Sequence, residues 1–277
     1  MTALLLSELF RLSRRVMPRV LLIVLVLVVL LLYLLIWSFI RLAAQQGGLG
    51  APGADEVGLG SVVPFGLNIV QNVGTILVVI LAASMMGTEF GWGTVRTLLP
   101  RSAGRAAFLT AKLVTLCLFV ALVVLVGFVV ALAGGSLVTV VERLDTPLPA
   151  NFVAHLGGSV LRTMYVMLPY GALAFMLAVL TRGTAAGIGA AMAIRFLEEP
   201  ILMILALAGD RLAWLPNALL SRNTGALMRL NSPDAGRFDF SPIATLDPWP
   251  AAGVLALYTA GFIAIAFWRF QQRDITG

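Results

Sequence analysis

Charge is scarce in this chain of 277 residues: Asp, Glu, Lys and Arg make up 12% of it, about half the share of a soluble globular domain. Hydrophobic residues make up 60%, and the mean hydropathy is +0.99. That is more apolar surface than a chain of this length can wrap in polar residues, so its solvent is lipid. Cysteine is present once, as Cys117, which excludes an intrachain disulfide and a cysteine-based metal cluster. Histidine is present once, as His155, read as a solvated loop residue. Neither His-Glu-x-x-His nor Gly-x-Ser-x-Gly occurs, so a metalloprotease or serine hydrolase would lack its base or its ligands. Gly-x-x-x-x-Gly-Lys-Ser/Thr is also missing, and with it the loop that cradles the phosphates of ATP.

What the chain does have is long uncharged runs. Val20 to Ile40 carries no charge over 21 residues. At 1.5 Å per residue this covers about 31 Å, the thickness of a bilayer core. It ends in Trp37 and Arg41 without a small-residue cleavage pattern, so it reads as a retained span and not a signal peptide. Five further candidates follow: Val62 to Met86, Leu113 to Ala133, Thr163 to Leu180, Gly183 to Ala208, and Ala251 to Trp268. The fifth run is the weakest, because Arg195, Glu198, Glu199 and Pro200 interrupt it; it reads as a span or as a span plus a re-entrant piece. The expected fold is all-α, a polytopic membrane helical bundle of about six transmembrane helices in one domain, 1–277.

Basic residues set the orientation. Residues 1–19, 87–112, 181–183 and 269–277 carry 11 Lys and Arg in 57 positions, whereas 41–61, 134–162 and 209–250 carry 7 in 92. The positive-inside rule then places both termini in the cytoplasm. The net charge of +6 is therefore read as topology, and no nucleic-acid partner is expected. Ahead of the first span, Leu5, Leu9, Leu12 and Val16 recur at helical offsets, with Arg11, Arg14, Arg15 and Arg19 on other faces. This fits a helix at the membrane interface over 1–19, or simply a basic topology stop. Residues 209–250 contain five prolines and read as an external loop.

Charges inside the fifth run need an explanation. Arg195 precedes Glu198 by three residues and Glu199 by four, a spacing that puts opposite charges on one helical face. Pairing would relieve the roughly 2.5 to 3.5 kcal/mol that a charge costs at a helix centre in a bilayer. The trio reads as a salt-bridged helix end near Pro200 or as a polar lining. Gly183, Ala186, Gly187 and Ala190 form a small-residue face suited to close helix packing within one subunit. Asn68, Gln71 and Asn72 read as hydrogen bonds across helices, or as the lining of a path. Cys117 and the methionines read as apolar packing.

The most informative segment is residues 87–112, GTEFGWGTVRTLLPRSAGRAAFLTAK. Gly87, Gly91 and Gly93 loosen the end of the second span, Thr94 to Leu99 fit a short helix that Pro100 stops, and Ser102 can cap the next helix. The pattern Gly87, Glu89, Phe90, Gly93, Thr94, Arg96, Leu98, Leu99, Arg105, Leu109 and Lys112 resembles the cytoplasmic signature of ABC-type-2 permeases, the membrane subunits of ATP-binding-cassette transporters. The closing Ala266, Phe267, Arg269, Phe270, Arg273, Asp274 and Ile275 is similar to that family's aromatic and basic tail. The resemblance implies a permease, most simply an exporter, that works with a second permease subunit, identical or homologous, and with separate cytoplasmic ATPase subunits. ATP and Mg would belong to those ATPases; no cofactor is implied in this chain. Segment 87–112 would be the coupling segment that docks on the ATPase, with Glu89 and Arg96, and after them Thr94 and Arg101, in the polar network that links its helix to the membrane boundary. The implied location is a bacterial-type inner membrane. A membrane anchor that assembles a cytoplasmic complex without transporting anything is the alternative reading.

Overall fold

A computed structural model of the chain describes residues 2–45, 58–59, 65–93, 104–143, 152–207, 215–231 and 246–272. Among these residues every regular element is helical. A short amphipathic helix α1 (Thr2–Arg14) leads into α2 (Val16–Gln45). Pro18 explains the break between them: it has no N–H to donate back to the carbonyl of Arg14, yet in the first turn of α2 that loss costs nothing. The long helices α3 (Leu67–Gly91), α4 (Arg105–Glu142), α5 (Phe152–Thr181), α6 (Thr184–Leu207) and α9 (Pro248–Gln272) complete the bundle. Between α6 and α9 lie α7 (Leu215–Ala218), α8 (Leu220–Met228) and a 3-10 turn over Arg229–Asn231.

Among the described residues five helices are long and apolar enough to cross a membrane: Val16–Leu42, Leu67–Gly91, Arg105–Glu142, His155–Thr181 and Pro248–Gln272. The protein is a multi-pass helical bundle. The sixth long helix, α6, has the length for a crossing, and it is Arg195, Glu198 and Glu199 that set its composition apart. It runs through Pro200, so these charges do not stand at a helix end. Missing hydrogen bonds at Pro169 and Pro200 are tolerated because a helix in a bundle can satisfy the freed carbonyls with neighbours and local adjustment.

Helices α3 and α5 form the centre. Val70, Val78, Met86, Met167, Tyr170 and Phe175 are among their fully buried side chains, and α2, α4, α6 and α9 pack around them. The outward faces of α2 and α4 expose Ile23, Leu27, Leu31, Leu118, Leu122 and Val129, the surface of a protein whose solvent is apolar. Cys117 belongs to that exposed face and not to the packed interior. His155 is likewise exposed, but within the first turn of α5 and not in a loop.

Small residues fix the closest approaches. A Cβ on Gly87 would fall on the backbone of Thr184, so the end of α3 touches the start of α6. One turn further along α6, a Cβ on Gly187 would lie 2.9 to 3.1 Å from Ala178 of α5. The glycine of the small-residue face thus serves packing within the chain. At the far end of the bundle Trp37 Nε1 donates to Glu142 Oε1 over 2.7 Å, and Arg41 pairs with the same carboxylate, tying α2 to α4.

Candidate functional site

Two polar centres stand out from this apolar frame, one where α3 stops and α4 starts and one within the bundle around α6. At the end where α3 stops and α4 starts, Glu89 and Lys112 are both 1% exposed. Lys112 Nζ lies 3.0 Å from Glu89 Oε1 and 3.3 Å from Glu8 Oε2 on α1. Arg15 Nη2 reaches Glu89 Oε1 at 3.4 Å, and Arg11 Nη1 lies 3.5 Å from Glu8 and 3.9 Å from Glu89. Two carboxylates are therefore shared among three cations. Sharing of this kind is what makes the burial tolerable: a single buried ion pair seldom regains its desolvation cost, whereas extra hydrogen bonds to the remaining lone pairs and protons offset it. A cleft of about 20 Å³, room for one water, opens beside it against Ser84, Met85 and Thr115.

This knot joins three elements that meet nowhere in the sequence. Around it, Phe270 at the end of α9 stacks on Phe108 with centroids 6.0 Å apart and meets Phe90 edge-on at 6.3 Å. Arg105 Nη1 donates to the Gln271 carbonyl at 2.6 Å. Trp92, with Arg15 lying 5.8 Å over its ring, ends α3. Gly93 and Gly104 have φ of +66° and +114°, which L side chains rarely adopt, and they bracket residues 94–103. The two ends of that segment are thus anchored to one rigid platform built from α1, α3, α4 and α9. Of the residues expected at the coupling segment, Glu89 sits at the heart of the platform; Thr94, Arg96 and Arg101 lie outside the described residues, as do Arg273, Asp274 and Ile275 of the tail.

The second centre surrounds Glu198, which is 4% exposed. Its carboxylate accepts hydrogen bonds from the backbone N–H groups of Leu220 at 3.1 Å and Ser221 at 2.8 Å, and from the Tyr170 hydroxyl at 3.0 Å. Glu198 therefore caps helix α8 from another helix. No side chain of α8 caps its own N-terminus, so this carboxylate satisfies orphan donors and meets the positive end of the helix dipole. Counting from Thr184, Glu198 stands about 21 Å along α6. The tip of α8 thus sits between α5, α6 and α9, well below the ends of those helices. Tyr258 of α9 holds the preceding turn through the Ala218 carbonyl at 2.8 Å, and Arg162 of α5 holds Asn231 at 2.7 Å.

Arg195 does not pair with Glu198 or Glu199: no carboxylate lies within 4 Å of it among the described residues. Its guanidinium donates to Asn72 Oδ1 of α3 at 3.1 Å and lies 5.5 Å over the Tyr170 ring. The reason is that Glu198 is already held by three donors on the other side, while Glu199 is exposed. Asn72 also donates to Asn68, and Gln71 to Thr75, so the polar residues of α3 bond mainly along their own helix. Asn68, Asn72 and Glu199 are exposed, with Arg195 half-buried beside them, a polar strip where α3 meets α6.

Sequence reasoning missed Glu8, the third member of the knot, and all of α8. For Glu8 a signal existed: it is the sole acid among the first 19 residues, and Lys112 is the sole lysine of the chain. For α8 the signal was Leu220, Thr224 and Leu227 at helical offsets, buried together on one face. Among the described residues no three His, Cys, Asp or Glu side chains gather as metal ligands. Compared with known proteins, residues 52–276 match the model of a family described as "Protein of unknown function (DUF2705)", and no curated protein matches the chain.

Proposed function

The chain belongs to the DUF2705 family, and from that premise we propose that it is the permease subunit of an ATP-binding-cassette exporter. The observation that carries this reading is the buried knot of Glu89, Lys112 and Glu8. It fastens α3 and α4, which flank residues 94–103, to each other and to α1. A force applied to that segment by an ATPase would be delivered to three helices at once, where a slack loop would absorb it. All six long helices then cross a bacterial-type inner membrane, with both termini and residues 94–103 in the cytoplasm, in keeping with the basic charge at that end. ATP and Mg act in separate ATPase subunits, and a second permease subunit, identical or homologous, faces the polar strip of Asn68, Asn72 and Arg195. Polar groups there are better placed against a partner or a substrate path than against lipid.

The test is recovery and activity of the complex. Purified alone, the chain should show no ATP hydrolysis; isolated with its partners from native membranes, it should bring down an ATPase whose activity rises with substrate. Glu89→Ala and Arg96→Ala should reduce ATPase recovery or transport at unchanged membrane expression. Full transport by both variants removes this segment from the coupling role, and ATP hydrolysis by the pure single chain overturns the division of labour.

A further inference from the structure

Helix α1 has a second face. Its inner side contributes Glu8 and Arg11 to the knot, joined by Arg15 of the elbow, whereas Leu6, Phe10, Ser13 and Arg14 point outward at offsets of four, seven and eight. Leu6 is 67% exposed and Phe10 62%. Arg14 lies 5.3 Å over the Phe10 ring. Beyond the elbow, Arg19 turns back and donates through Nε to the Ser13 carbonyl at 3.0 Å, which sets its guanidinium at the last turn of α1, against the peptide that joins Ser13 to Arg14. Both arginines are exposed, and among the described residues neither lies within 4 Å of a carboxylate. With Arg11, Arg15 and Lys112 behind them, five cations stand against two acids at this elbow among the described residues.

We propose that the elbow between α1 and α2 binds an anionic phospholipid, its phosphate on Arg14 and Arg19 and an acyl chain along α2. Two features select this occupant over a soluble polyanion. First, Arg19, Ile23 and Leu27 recur every four residues on one face of α2, so an exposed apolar strip runs directly away from the charged head position. Second, the exposed Leu6 and Phe10 flank the same position on α1, which only an amphiphile can cover. The excess of positive charge favours a lipid of net negative charge over a zwitterionic one, and guanidinium groups suit phosphate oxygens geometrically.

The experiment places the full chain in phosphatidylcholine bilayers with trace spin-labelled phosphatidylglycerol or spin-labelled phosphatidylcholine, and reads the motionally restricted fraction of each by electron paramagnetic resonance. We expect phosphatidylglycerol to be preferred by more than about fivefold, the factor that each basic side chain contributes at such a surface, since two are offered here. Arg14→Gln/Arg19→Gln should bring the ratio to one, and Arg14→Lys/Arg19→Lys should retain a preference. Arg14→Gln alone removes only a ring contact within α1, so it lowers the ratio without threatening the fold. Equal restriction of both lipids by the parent chain, or a preference unchanged in the double Gln variant, overturns the proposal. Loss of the preference in millimolar inorganic phosphate, but not in chloride of equal ionic strength, assigns the site to free phosphate and overturns the lipid reading.

Discussion

At the knot, redundancy governs what a substitution does. Lys112 keeps Glu8 when Glu89 is neutralised and keeps Glu89 when Glu8 is neutralised, because the two carboxylates lie 3.3 and 3.0 Å from its ammonium. Glu8→Gln and Glu89→Gln should each cost about 1 to 2 kcal/mol. The double variant strands a buried ammonium and should cost about 3 to 5 kcal/mol, more than the sum of the singles. Thermal unfolding in detergent measures this, and strict additivity would show that Lys112 reaches water by itself. Glu198 lacks such a spare partner. Glu198→Ala leaves two backbone N–H groups and the Tyr170 hydroxyl without an acceptor, a loss of about 3 kcal/mol. Tyr170→Phe removes one donor to a carboxylate that keeps two others, and should cost about 1 kcal/mol in the same assay.

Helices were readable in the sequence where lipid dictates composition, and unreadable where neighbours do. Val20 to Ile40 announces a span because no charge survives there without a partner, and α2 covers that run. The limits of α4 were hidden: Gly134 and Gly135 suggest a stop, yet the helix runs on to Glu142 because Gly134 receives the Tyr33 ring and Glu142 binds Trp37 and Arg41 of the same neighbour, α2. Lys112 and Glu89 were visible within one polar segment, but Glu8 joins them from 104 residues away, a contact no local pattern encodes. Likewise the spacing of Arg195, Glu198 and Glu199 is right for pairing within a helix, but Arg195 and Glu198 find partners on α3 and α8 instead. Contacts between helices also rank the glycines. Gly87→Ala should force α3 away from Thr184 and lower stability by about 1 to 3 kcal/mol, as overpacking does. Gly189→Ala meets nothing within 4 Å and should leave stability unchanged or slightly raise it, making it the matched control for helix propensity.

Across the whole molecule, α8 is seated between α5 and α6, which precede it in the chain, and α9, which follows it, and this has a consequence for how the protein is made. When α6 leaves the ribosome, Tyr170 is already made, but the backbone N–H groups of Leu220 and Ser221 that also hold Glu198 lie 22 and 23 residues further on, and α9 is further off. Insertion scales charge about 2.5 to 3.5 kcal/mol for an acid near a helix centre, so if α6 is the sixth span of the proposed topology it should enter the bilayer poorly until α8 arrives. On the proposed six-span topology, the second half would then insert as a single concerted event rather than one span after another. A nascent chain truncated after residue 207 should leave α6 in two orientations, as read by glycosylation tags at its end. Extension through residue 272 should resolve them to one, and Glu198→Leu should already do so in the short chain. Uniform insertion of the truncated parent chain would show that α6 carries its charges into the membrane unaided.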